Sequence, residues 1–572
     1  MAEYLKLKAT DCKTCYKCIR HCPVKSIKFE KNQAQIVQEE CILCGHCFVV
    51  CPQNAKEMRN DLGTAETLLK SGKPVWVSLA PSFAANFSGP GIGAMRTALK
   101  KLGFAEVEET AVGAAIVKKQ YDVLVNKGEQ NVIISTCCPT VNQLIQKYYP
   151  EALSSVAHVV SPMHAHGIDI KRRNPEVKTV FIGPCISKKA EAENSAAGMV
   201  DCALTFRELA QWLKKENIEI EFSKDVSAPG GGSPGAAGAE DNHTLERLFP
   251  INGGILRTMK KENREYTYLS VDGIENCRFY IEDVIRGRMN RCFIEMSACA
   301  GSCSVGPAMS KNWDAPVRNY IAVNSFAGTE DFPVFDYSAE TLLKKFESLA
   351  PRKIYFDDEA IEGVLHKLGK ISREHELNCG SCGYDTCREK ARAVLEGKAT
   401  LTMCLPYLKE RAESFSDDII KNTPNAIVVV NENCEVQQIN NAACALLNIN
   451  AHDILGDQVV RVLDPLPFIE AGQRQANSYN NRVYLPEYKR HVDQTLIYNK
   501  GNHIIMCIMR DVTEEEFMKA EKEEFNRKTI EIADRVVEKQ MRTVQEIASL
   551  LGETTAETKI ALTKLKESLS DA

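Results

Sequence analysis

Short apolar runs alternate with longer helical stretches through the middle of the chain. Four of these runs predict buried strands because each is almost continuously apolar and ends near Gly, Pro or Cys: 75–81, 131–136, 179–183 and 291–296. Strands that alternate with helices build parallel sheets, and functional groups collect at the carboxyl ends of such strands. The pattern therefore predicts an α/β domain, with a further helix at 337–350 and a loop over the glycine-rich stretch 228–242.

After about residue 415 the pattern changes to alternating apolar and polar positions. This alternation predicts half-buried strands at 426–431, 436–440 and 502–511. From residue 513 the apolar residues recur mostly three or four positions apart, with an interruption at Gly552: Ile532, Val536, Val544, Ile547, Leu551, Leu562, Leu565 and Leu569. Such a stripe suits either the seam of a coiled-coil dimer or an amphipathic helix packed on the preceding domain.

Composition and charge narrow the range of functions. The 572 residues include 71 Lys and Arg against 76 Asp and Glu, so no basic excess exists for binding nucleic acid. The N-terminus has no signal-peptide pattern and no apolar run reaches about 18 residues, so we expect a cytoplasmic protein without a membrane span. The chain has 23 cysteines, and in that reducing compartment those that are clustered are expected to bind metal or carry out redox chemistry.

The first sixty residues repeat one cysteine pattern, C-x2-C-x2-C-x3-C-P. It is the signature of bacterial two-cluster ferredoxins, in which the fourth cysteine of each run binds the other cluster. One 4Fe–4S cluster is therefore predicted on Cys12, Cys15, Cys18 and Cys51, and a second on Cys41, Cys44, Cys47 and Cys22. A pair of zinc knuckles is the alternative, although three cysteines in series are not the usual zinc pattern.

Three predicted strand ends also carry cysteines. They are Cys137-Cys138-Pro139, then Pro184-Cys185 followed by Lys188, then Ser297-Ala298-Cys299 followed by Cys303. In this order, behind a two-cluster module, they resemble the three active-site motifs of iron-only (FeFe) hydrogenases over residues 1–310. The resemblance implies an H-cluster. Its cubane would be held by Cys138, Cys185, Cys299 and Cys303, and Cys303 would bridge to a two-iron subsite carrying CO, cyanide and a dithiolate amine.

The same resemblance implies roles for side chains around the diiron subsite. Cys137 would exchange a proton with the bridging amine, and Lys188 would donate hydrogen bonds to a cyanide. The segment Ala80-Pro81-Ser82 would line the subsite, with Ser82 facing the other cyanide. A thiol beside a metal centre is expected to have a lowered pKa, which suits a proton relay. The alternatives are a packed thiol at Cys137 and an ordinary surface lysine at Lys188.

The chain departs from the catalytic members of that family at several positions. Gly183 and Ser297 stand where those enzymes carry methionines against the diiron site, so Ser297 is a further site candidate. The family's proton path uses two glutamates and a serine, which are replaced here by Gln120, Tyr121 and Ala157. Substitutes could come from Glu109, Glu191 and His164. We therefore predict a working H-cluster with altered surroundings and a slower proton supply.

A later cysteine group predicts one more cluster. Cys379, Cys382, Cys387 and Cys404 resemble the small 4Fe–4S domain of redox-driven membrane complexes and corrinoid proteins. Cys387 would begin a helix at 386–397, whose dipole favours a thiolate there, and zinc is the alternative. Several other cysteines are expected to be ordinary packed or surface thiols: Cys202, Cys277, Cys292, Cys434, Cys444 and Cys507.

The segment that begins near residue 415 resembles a PAS domain, a sensory or dimerising module. The whole chain is then a multidomain α/β protein. Its predicted parts are a ferredoxin-like two-cluster domain (1–60), an α/β hydrogenase H-cluster domain (61–345), an additional 4Fe–4S domain (346–412), an α+β PAS domain (413–516) and a coiled-coil signalling helix (517–572).

This combination resembles the sensory group of iron-only hydrogenases. The leading hypothesis is slow interconversion of H2 with protons and electrons, reported through the clusters to a PAS/helix homodimer and then to a kinase or phosphatase acting in trans. A second hypothesis is a turnover hydrogenase that uses a ferredoxin-like electron partner, with the PAS segment serving only for dimerisation. A third is a non-hydrogenase Fe–S redox or assembly protein that never holds the diiron subsite.

Overall fold

The computed structural model describes residues 3–8, 11–87, 89, 91–194, 198–221, 244–310, 315–351 and 354–570. The chain divides into two units, Met1–Tyr407 and Leu408–Ala572. The glycine-rich stretch 228–242, predicted to be a loop, lies outside the described residues. Within those ranges no helix is both long and apolar enough to cross a membrane.

The first sixty residues form a small module around the doubled cysteine motif. Its strands are β1 (Leu5–Leu7), β2 (Ile27–Glu30), β3 (Gln33–Ile36) and β4 (Lys56–Met58), and its helices are α1 (Lys17–Arg20) and α2 (His46–Val49). β1 pairs with β4 and β2 with β3, both antiparallel. Each short helix contains the third cysteine of a run, Cys18 or Cys47, so the repeated sequence motif produces a repeated local structure.

Two parallel sheets form the α/β domain that follows. The strands are β5 (Val75–Leu79), β6 (Glu106–Glu109), β7 (Val132–Ile134), β8 (Lys178–Gly183), β9 (Cys202–Thr205), β10 (Thr267–Asp272) and β11 (Cys292–Ser297). One sheet has the order β6-β5-β8-β9 and the other β10-β11-β7. The four strands predicted from apolar runs are confirmed as β5, β7, β8 and β11. Residues such as Val77 and Ile182 are fully buried, as expected for central parallel strands.

Helices connect these strands and pack against them. Their bounds are α3 Leu62–Leu69, α4 Phe83–Asn86, α5 Ile92–Lys101, α6 Ala111–Lys127, α7 Pro139–Tyr148, α8 Pro162–Arg173, α9 Ser187–Glu193, α10 Phe206–Lys215, α11 Gly254–Thr258, α12 Ile274–Ile285 and α13 Pro316–Phe326. Two of them start directly beyond strand-end cysteines, α7 after Cys138 and α9 after Cys185. Pro139 occupies the first turn of α7, where its missing N–H removes no helical hydrogen bond.

The prediction of a helix at 337–350 is wrong. This segment is irregular, and its backbone bonds to distant chain: Val160 N–H donates to the Leu342 carbonyl (2.9 Å), and Lys344 N–H donates to that of His158 (3.2 Å). Leu342 is buried against the α/β domain. Tertiary contacts therefore override the local helical pattern here.

The first unit ends in a helical region around the last cysteine group. Its helices are α14 (Asp358–Lys367) and α15 (Cys387–Leu395). Thr386 caps α15, because its Oγ1 accepts from Glu389 N–H (3.0 Å) while the Glu389 carboxylate accepts from Thr386 N–H (3.3 Å). The helix predicted over 386–397 is thus confirmed, with Cys387 in its first turn.

The second unit is a five-stranded antiparallel sheet followed by one long helix. Helix α16 (Leu405–Asn422) leads into it, and the other elements are β12 (Ala426–Asn431), β13 (Val436–Ile439), α17 (Asn441–Leu446), α18 (Leu466–Arg474), β14 (Ser478–Leu485), β15 (Arg490–Asn499) and β16 (Ile504–Asp511). The strand order is β13-β12-β16-β15-β14. The last helix, α19 (Thr513–Ser570), confirms the predicted helical tail and continues through Gly552, where the recurrence of apolar residues is interrupted.

Candidate metal centre

Four strand-end thiols gather at one place in the α/β domain. Cys138 follows β7, Cys185 follows β8, and Cys299 and Cys303 follow β11. Burial raises the pKa of the Cys299 thiol, and Cys185, Cys138 and Cys303 lie close enough to raise it further. None of the four is in a disulfide. A convergent quartet of free thiols is the ligand set that a 4Fe–4S cubane requires.

A tight turn rather than a regular helix carries the last two thiols of this quartet. Ser302 N–H donates to the Cys299 carbonyl (2.8 Å), and Gly301 and Ser302 have φ of 88° and 56°. Gly306, which follows, packs so closely that a Cβ there would lie 2.5 Å from the Pro184 carbonyl oxygen. The third motif is thereby pressed against the second, which brings Cys303 near Cys185.

Lys188 lies on α9 beside this quartet. Its Nζ forms an ion pair with Glu191 Oε2 (2.6 Å) and donates to Ser161 Oγ (3.1 Å) and to the Cys137 carbonyl (3.4 Å). The side chain is only 11% exposed, so Lys188 is not an ordinary surface lysine. Burial would lower the pKa of this ammonium, but the Glu191 carboxylate outweighs burial and raises it. A fixed positive charge therefore stands beside the thiols.

Cys137 lies between Tyr121 and Lys188. Its Sγ is 3.4 Å from the Tyr121 hydroxyl, which also receives a hydrogen bond from Thr136 N–H (2.9 Å). Burial raises the pKa of the Cys137 thiol to about 12, although the Tyr121 hydroxyl and Lys188 act in the opposite direction. In the protein alone, removing a thiolate from water costs more than one nearby ammonium returns, and the lowering of the pKa by a bound metal centre stays a prediction.

The segment Ala80-Pro81-Ser82 leaves the end of β5 next to the second motif. Ala80 N–H donates to the Ile182 carbonyl (2.9 Å), and a Cβ on Gly183 would lie 3.3 Å from that of Ala80. The Ser82 hydroxyl is buried and finds no hydrogen-bond partner among the described residues. An orphaned hydroxyl is unfavourable unless a bound polar group completes its hydrogen bonding, so this residue fits the family's cyanide contact.

Ser297 lies at the end of β11 and is not orphaned. Its hydroxyl is 2.7 Å from the Ser302 hydroxyl, within the turn that carries Cys299 and Cys303. The structure therefore places Ser297 beside two thiols of the quartet. The side chain stabilises the turn, and its contact with a diiron subsite stays a prediction.

A buried carboxylate that was not singled out in the sequence completes the surroundings of Cys137. Glu295 lies on β11, accepts from Leu256 N–H (3.1 Å), and is close enough to Cys137 to raise the pKa of its thiol. Burial raises the pKa of Glu295 to about 7. The available signal was a single carboxylate inside an otherwise apolar strand, RCFIEM, which is unusual in a buried parallel sheet.

The other candidates for proton transfer have different surroundings. Glu109 forms a buried ion pair with Arg247 (2.9 and 2.5 Å), and Gln120 donates to the Tyr337 carbonyl (3.2 Å). Glu191 is held as a carboxylate by Lys188 and by Lys344 (3.1 Å). Ala157 is fully buried, and burial lowers the pKa of His164 to about 4. Among these candidates, none combines a position near Cys137 with a pKa of about 7, as Glu295 does.

The eight thiols of the N-terminal module gather in the predicted crosswise sets. Burial raises the pKa of Cys18 to about 11, and its thiol neighbours are Cys12, Cys51 and Cys15. The thiol neighbours of Cys44 are Cys22, Cys47 and Cys41. Cys44 also raises the pKa of Cys299, so the second set adjoins the quartet of the α/β domain.

The last cysteine group also converges. Cys379, Cys382, Cys387 and Cys404 line one cavity together with Lys370 and Lys390. Burial lowers the pKa of Lys390 to about 8 while the two nearest thiols, Cys382 and Cys404, oppose that shift. Four thiols with lysines beside them form a donor set that fits a 4Fe–4S cluster, whose thiolates carry negative charge.

Of the remaining thiols, five are buried: Cys202, Cys277, Cys292, Cys434 and Cys507. Cys444 is half-buried. Their interpretation as ordinary thiols fits these positions. Cys507 accepts a hydrogen bond from Gln494 Nε2 (3.3 Å) within an otherwise apolar core.

Three family models match the first unit. Residues 73–307 match the iron only hydrogenase large subunit, C-terminal domain, residues 4–52 match a 4Fe-4S dicluster domain, and residues 376–406 match an Fe-S cluster domain. These matches support iron–sulfur cofactors over the zinc alternative in both cysteine-rich regions. They also support an oxidoreductase.

Curated relatives fall into two kinds. The chain is 27% identical to iron hydrogenase 1 of Clostridium pasteurianum, covering 66% of this chain and 75% of that protein. It is 27% identical to the periplasmic [Fe] hydrogenase large subunit of Nitratidesulfovibrio vulgaris, covering 53% and 86%. It is also 22% identical to cytosolic iron-sulfur assembly component 3 of Rattus norvegicus, covering 52% and 76%. The α/β domain of this chain is therefore similar to the large-subunit domain of iron-only hydrogenases.

Proposed function

We propose that this chain is a sensory iron-only hydrogenase, which interconverts H2 with two protons and two electrons. The observation that carries the proposal is the position of Lys188 and Cys137 beside the quartet Cys138, Cys185, Cys299 and Cys303. A cubane used only for electron transfer needs neither a buried ammonium nor a fifth thiol. An H-cluster held by this quartet would supply the metal chemistry that breaks and forms the H–H bond.

The chain's own residues prepare the site for that chemistry. Lys188 keeps its proton because Glu191 faces it, so its N–H groups and charge are available to an anionic group. The orphaned Ser82 hydroxyl offers a second polar contact. Cys137, held by its hydrogen bond to Tyr121, is placed to hold a proton at Sγ next to the quartet. The proton then needs an acceptor deeper in the protein.

Glu295 is the acceptor that the structure supports best. Its pKa of about 7 means that the carboxylate predominates above that pH and the acid form below it. If it exchanges protons with Cys137, H2 oxidation should rise as pH increases through about 7, because the carboxylate must accept. Proton reduction should fall over the same range, because the acid must donate. Glu295→Gln should remove this inflection and lower both rates by roughly 10²-fold.

The measurement is the pH dependence of both reactions in matured protein. Glu265→Gln provides a matched control, since Glu265 is exposed and its described hydrogen bond involves only its backbone N–H. The control should keep the inflection. An inflection near pH 7 that persists in Glu295→Gln would exclude Glu295 from the proton route.

Features of the second unit support the sensory half of the proposal. We interpret its five-stranded antiparallel sheet as a PAS domain. On α19, apolar residues recur every seven positions at Ile530, Val537, Val544 and Leu551, each about 60% exposed within the chain (60%, 59%, 58% and 62%). Such a seam suits a homodimer through this helix. The signal would then pass to a kinase or phosphatase in trans.

Two assays test this proposed function. Purified, matured protein should reduce an artificial electron acceptor under H2, and a protein without this reaction would not be a hydrogenase. The activity of the partner kinase or phosphatase should differ between hydrogen and argon. Equal partner activity under both gases would leave an enzyme without a sensory role.

The second candidate is an iron–sulfur assembly protein without the diiron subsite. The similarity to the assembly component of Rattus norvegicus favours it. The two candidates differ in one bound group, since only a hydrogenase holds CO and cyanide on iron. Infrared absorption by those ligands separates them.

A further inference from the structure

The small domain around the last cysteine group packs directly on the N-terminal module. One apolar core contains Ile19 and Cys22 from the module together with Tyr384 and Met403 from the small domain. Both parts belong to the first unit. The two cysteine-rich regions, separated by more than three hundred residues of sequence, are therefore neighbours in space.

Polar contacts fix this packing. Lys25 Nζ donates to the Gly383 carbonyl (2.9 Å), and Phe29 N–H donates to the Lys398 carbonyl (2.7 Å). Lys398 Nζ also forms an ion pair with Glu40 Oε1 (2.8 Å). A Cβ on Gly383, whose φ is 95°, would lie 2.9 Å from Ile19 Cγ2, so the backbones approach closely at this point. Contacts of this kind hold two redox sites at a fixed separation.

Tyr384 lies between two thiol sets at this interface. It is buried, and its electrostatic neighbours include Cys382 of the small domain and Cys22 of the N-terminal module. Its hydroxyl is buried and has no hydrogen-bond partner among the described residues. A buried O–H next to thiol groups suits a hydrogen bond to cluster or cysteine sulfur, which raises the reduction potential of a cluster.

We propose that the cluster held by Cys22, Cys41, Cys44 and Cys47 is a branch point for electrons. It adjoins the α/β-domain quartet through Cys44 and Cys299, and it adjoins the small-domain cluster through Tyr384. One electron at a time would pass from the reduced branch-point cluster to the oxidised small-domain cluster, without passing through the cluster of Cys12, Cys15, Cys18 and Cys51. The inference rests on the proposed function only in naming the quartet as the electron source.

The branch gives the small domain a defined position in the sensing route. Its last ligand, Cys404, is followed directly by α16, the helix that leads along the chain into the second unit. The small-domain cluster would therefore be the redox site next in sequence to the sensory segment. The Cys12 cluster would remain a separate site of electron entry or exit outside this route.

Paramagnetic resonance of full-length protein tests the branch without hydrogenase activity. The protein is expressed without the enzymes that build the diiron subsite, and its clusters are reduced stepwise in a potentiometric titration. Spin relaxation of the small-domain cluster should accelerate as the branch-point cluster becomes reduced. The same acceleration should persist in Cys12→Ser/Cys15→Ser protein, which loses the other N-terminal cluster. A small-domain signal that relaxes as an isolated centre at every potential would overturn the branch.

Tyr384→Phe provides a milder test, because it removes one hydroxyl and keeps the ring that fills the interface. We expect a lower midpoint potential for the small-domain or the branch-point cluster, and no change for the Cys12 cluster. Tyr355→Phe is the matched control, since Tyr355 is 87% exposed. Unchanged potentials of both adjoining clusters in Tyr384→Phe would contradict the placement of Tyr384 between them. Neither the spin relaxation nor the midpoint potentials are measured with H2, so a failed hydrogenase assay would not affect this test.

Discussion

Replacing Cys303 by serine is expected to abolish every infrared band of iron-bound CO and cyanide, together with all H2 turnover. Cys303 is the only thiol assigned both to the cubane and to the diiron unit, so its loss separates one from the other. The surrounding turn should keep its structure in this variant. It is held by the hydrogen bond from Ser302 N–H to the Cys299 carbonyl and by that from Gly301 N–H to the Asp272 carboxylate, and not by the thiol. The measurement is the infrared spectrum of the matured variant beside its hydrogenase assay.

Cys292→Ala is the control for Cys303→Ser. Cys292 is a buried thiol at the start of β11, and its Sγ bonds only to the Asn290 carbonyl (3.1 Å) among the contacts described. The control should keep the bands and the activity. A Cys303→Ser protein with intact bands would show that Cys303 does not bridge to the diiron unit.

Cys137→Ala should separate proton transfer from cluster assembly. The infrared bands should remain, because Cys137 is not assigned as a ligand. H2 oxidation and evolution should both fall by roughly 10²- to 10⁴-fold, the usual contribution of a positioned proton-transfer group. The rates of Cys137→Ser should fall less than those of Cys137→Ala if the serine hydroxyl can hold a proton at the same place. This comparison distinguishes a proton relay from a packing role.

The raised pKa of Cys137 sharpens this test. Burial raises the pKa of this thiol in the protein alone, so a relay at Cys137 must give its proton up and regain it within each cycle. The same Cys292→Ala control applies. Normal turnover in Cys137→Ala would remove Cys137 from the proton route and leave Glu295 without its proposed donor.

The metal-binding part of the fold could be predicted because it depends on local spacing. The doubled run of four cysteines determines which thiols can reach one cubane, and the structure groups them as expected around Cys18 and Cys44. The strands β5, β7, β8 and β11 followed from short apolar runs, which are typical of buried parallel strands. Lys188 could be assigned because a known family places a lysine three residues after this cysteine.

Features that depend on long-range packing could not be read from the sequence. The 337–350 segment has a helical pattern, yet its backbone bonds to residues near His158 and Val160. Glu295 stands out as a carboxylate within an apolar run, but its role depends on the packing of residues 253–256 around it, and Tyr384 gains Cys22 and Glu40 as neighbours only through the fold. The pKa of Cys137 depends on burial, which the neighbouring ligand cysteine does not reveal.

The infrared spectrum of the full-length protein, matured with the enzymes that build the diiron subsite, shows whether the chain holds an H-cluster. We expect bands from iron-bound CO and cyanide that shift when the gas is changed between hydrogen and argon. Their frequencies should respond to Lys188→Met, because Lys188 is placed to donate to a cyanide. A matured protein that contains its 4Fe–4S clusters but shows no CO or cyanide bands would not be a hydrogenase.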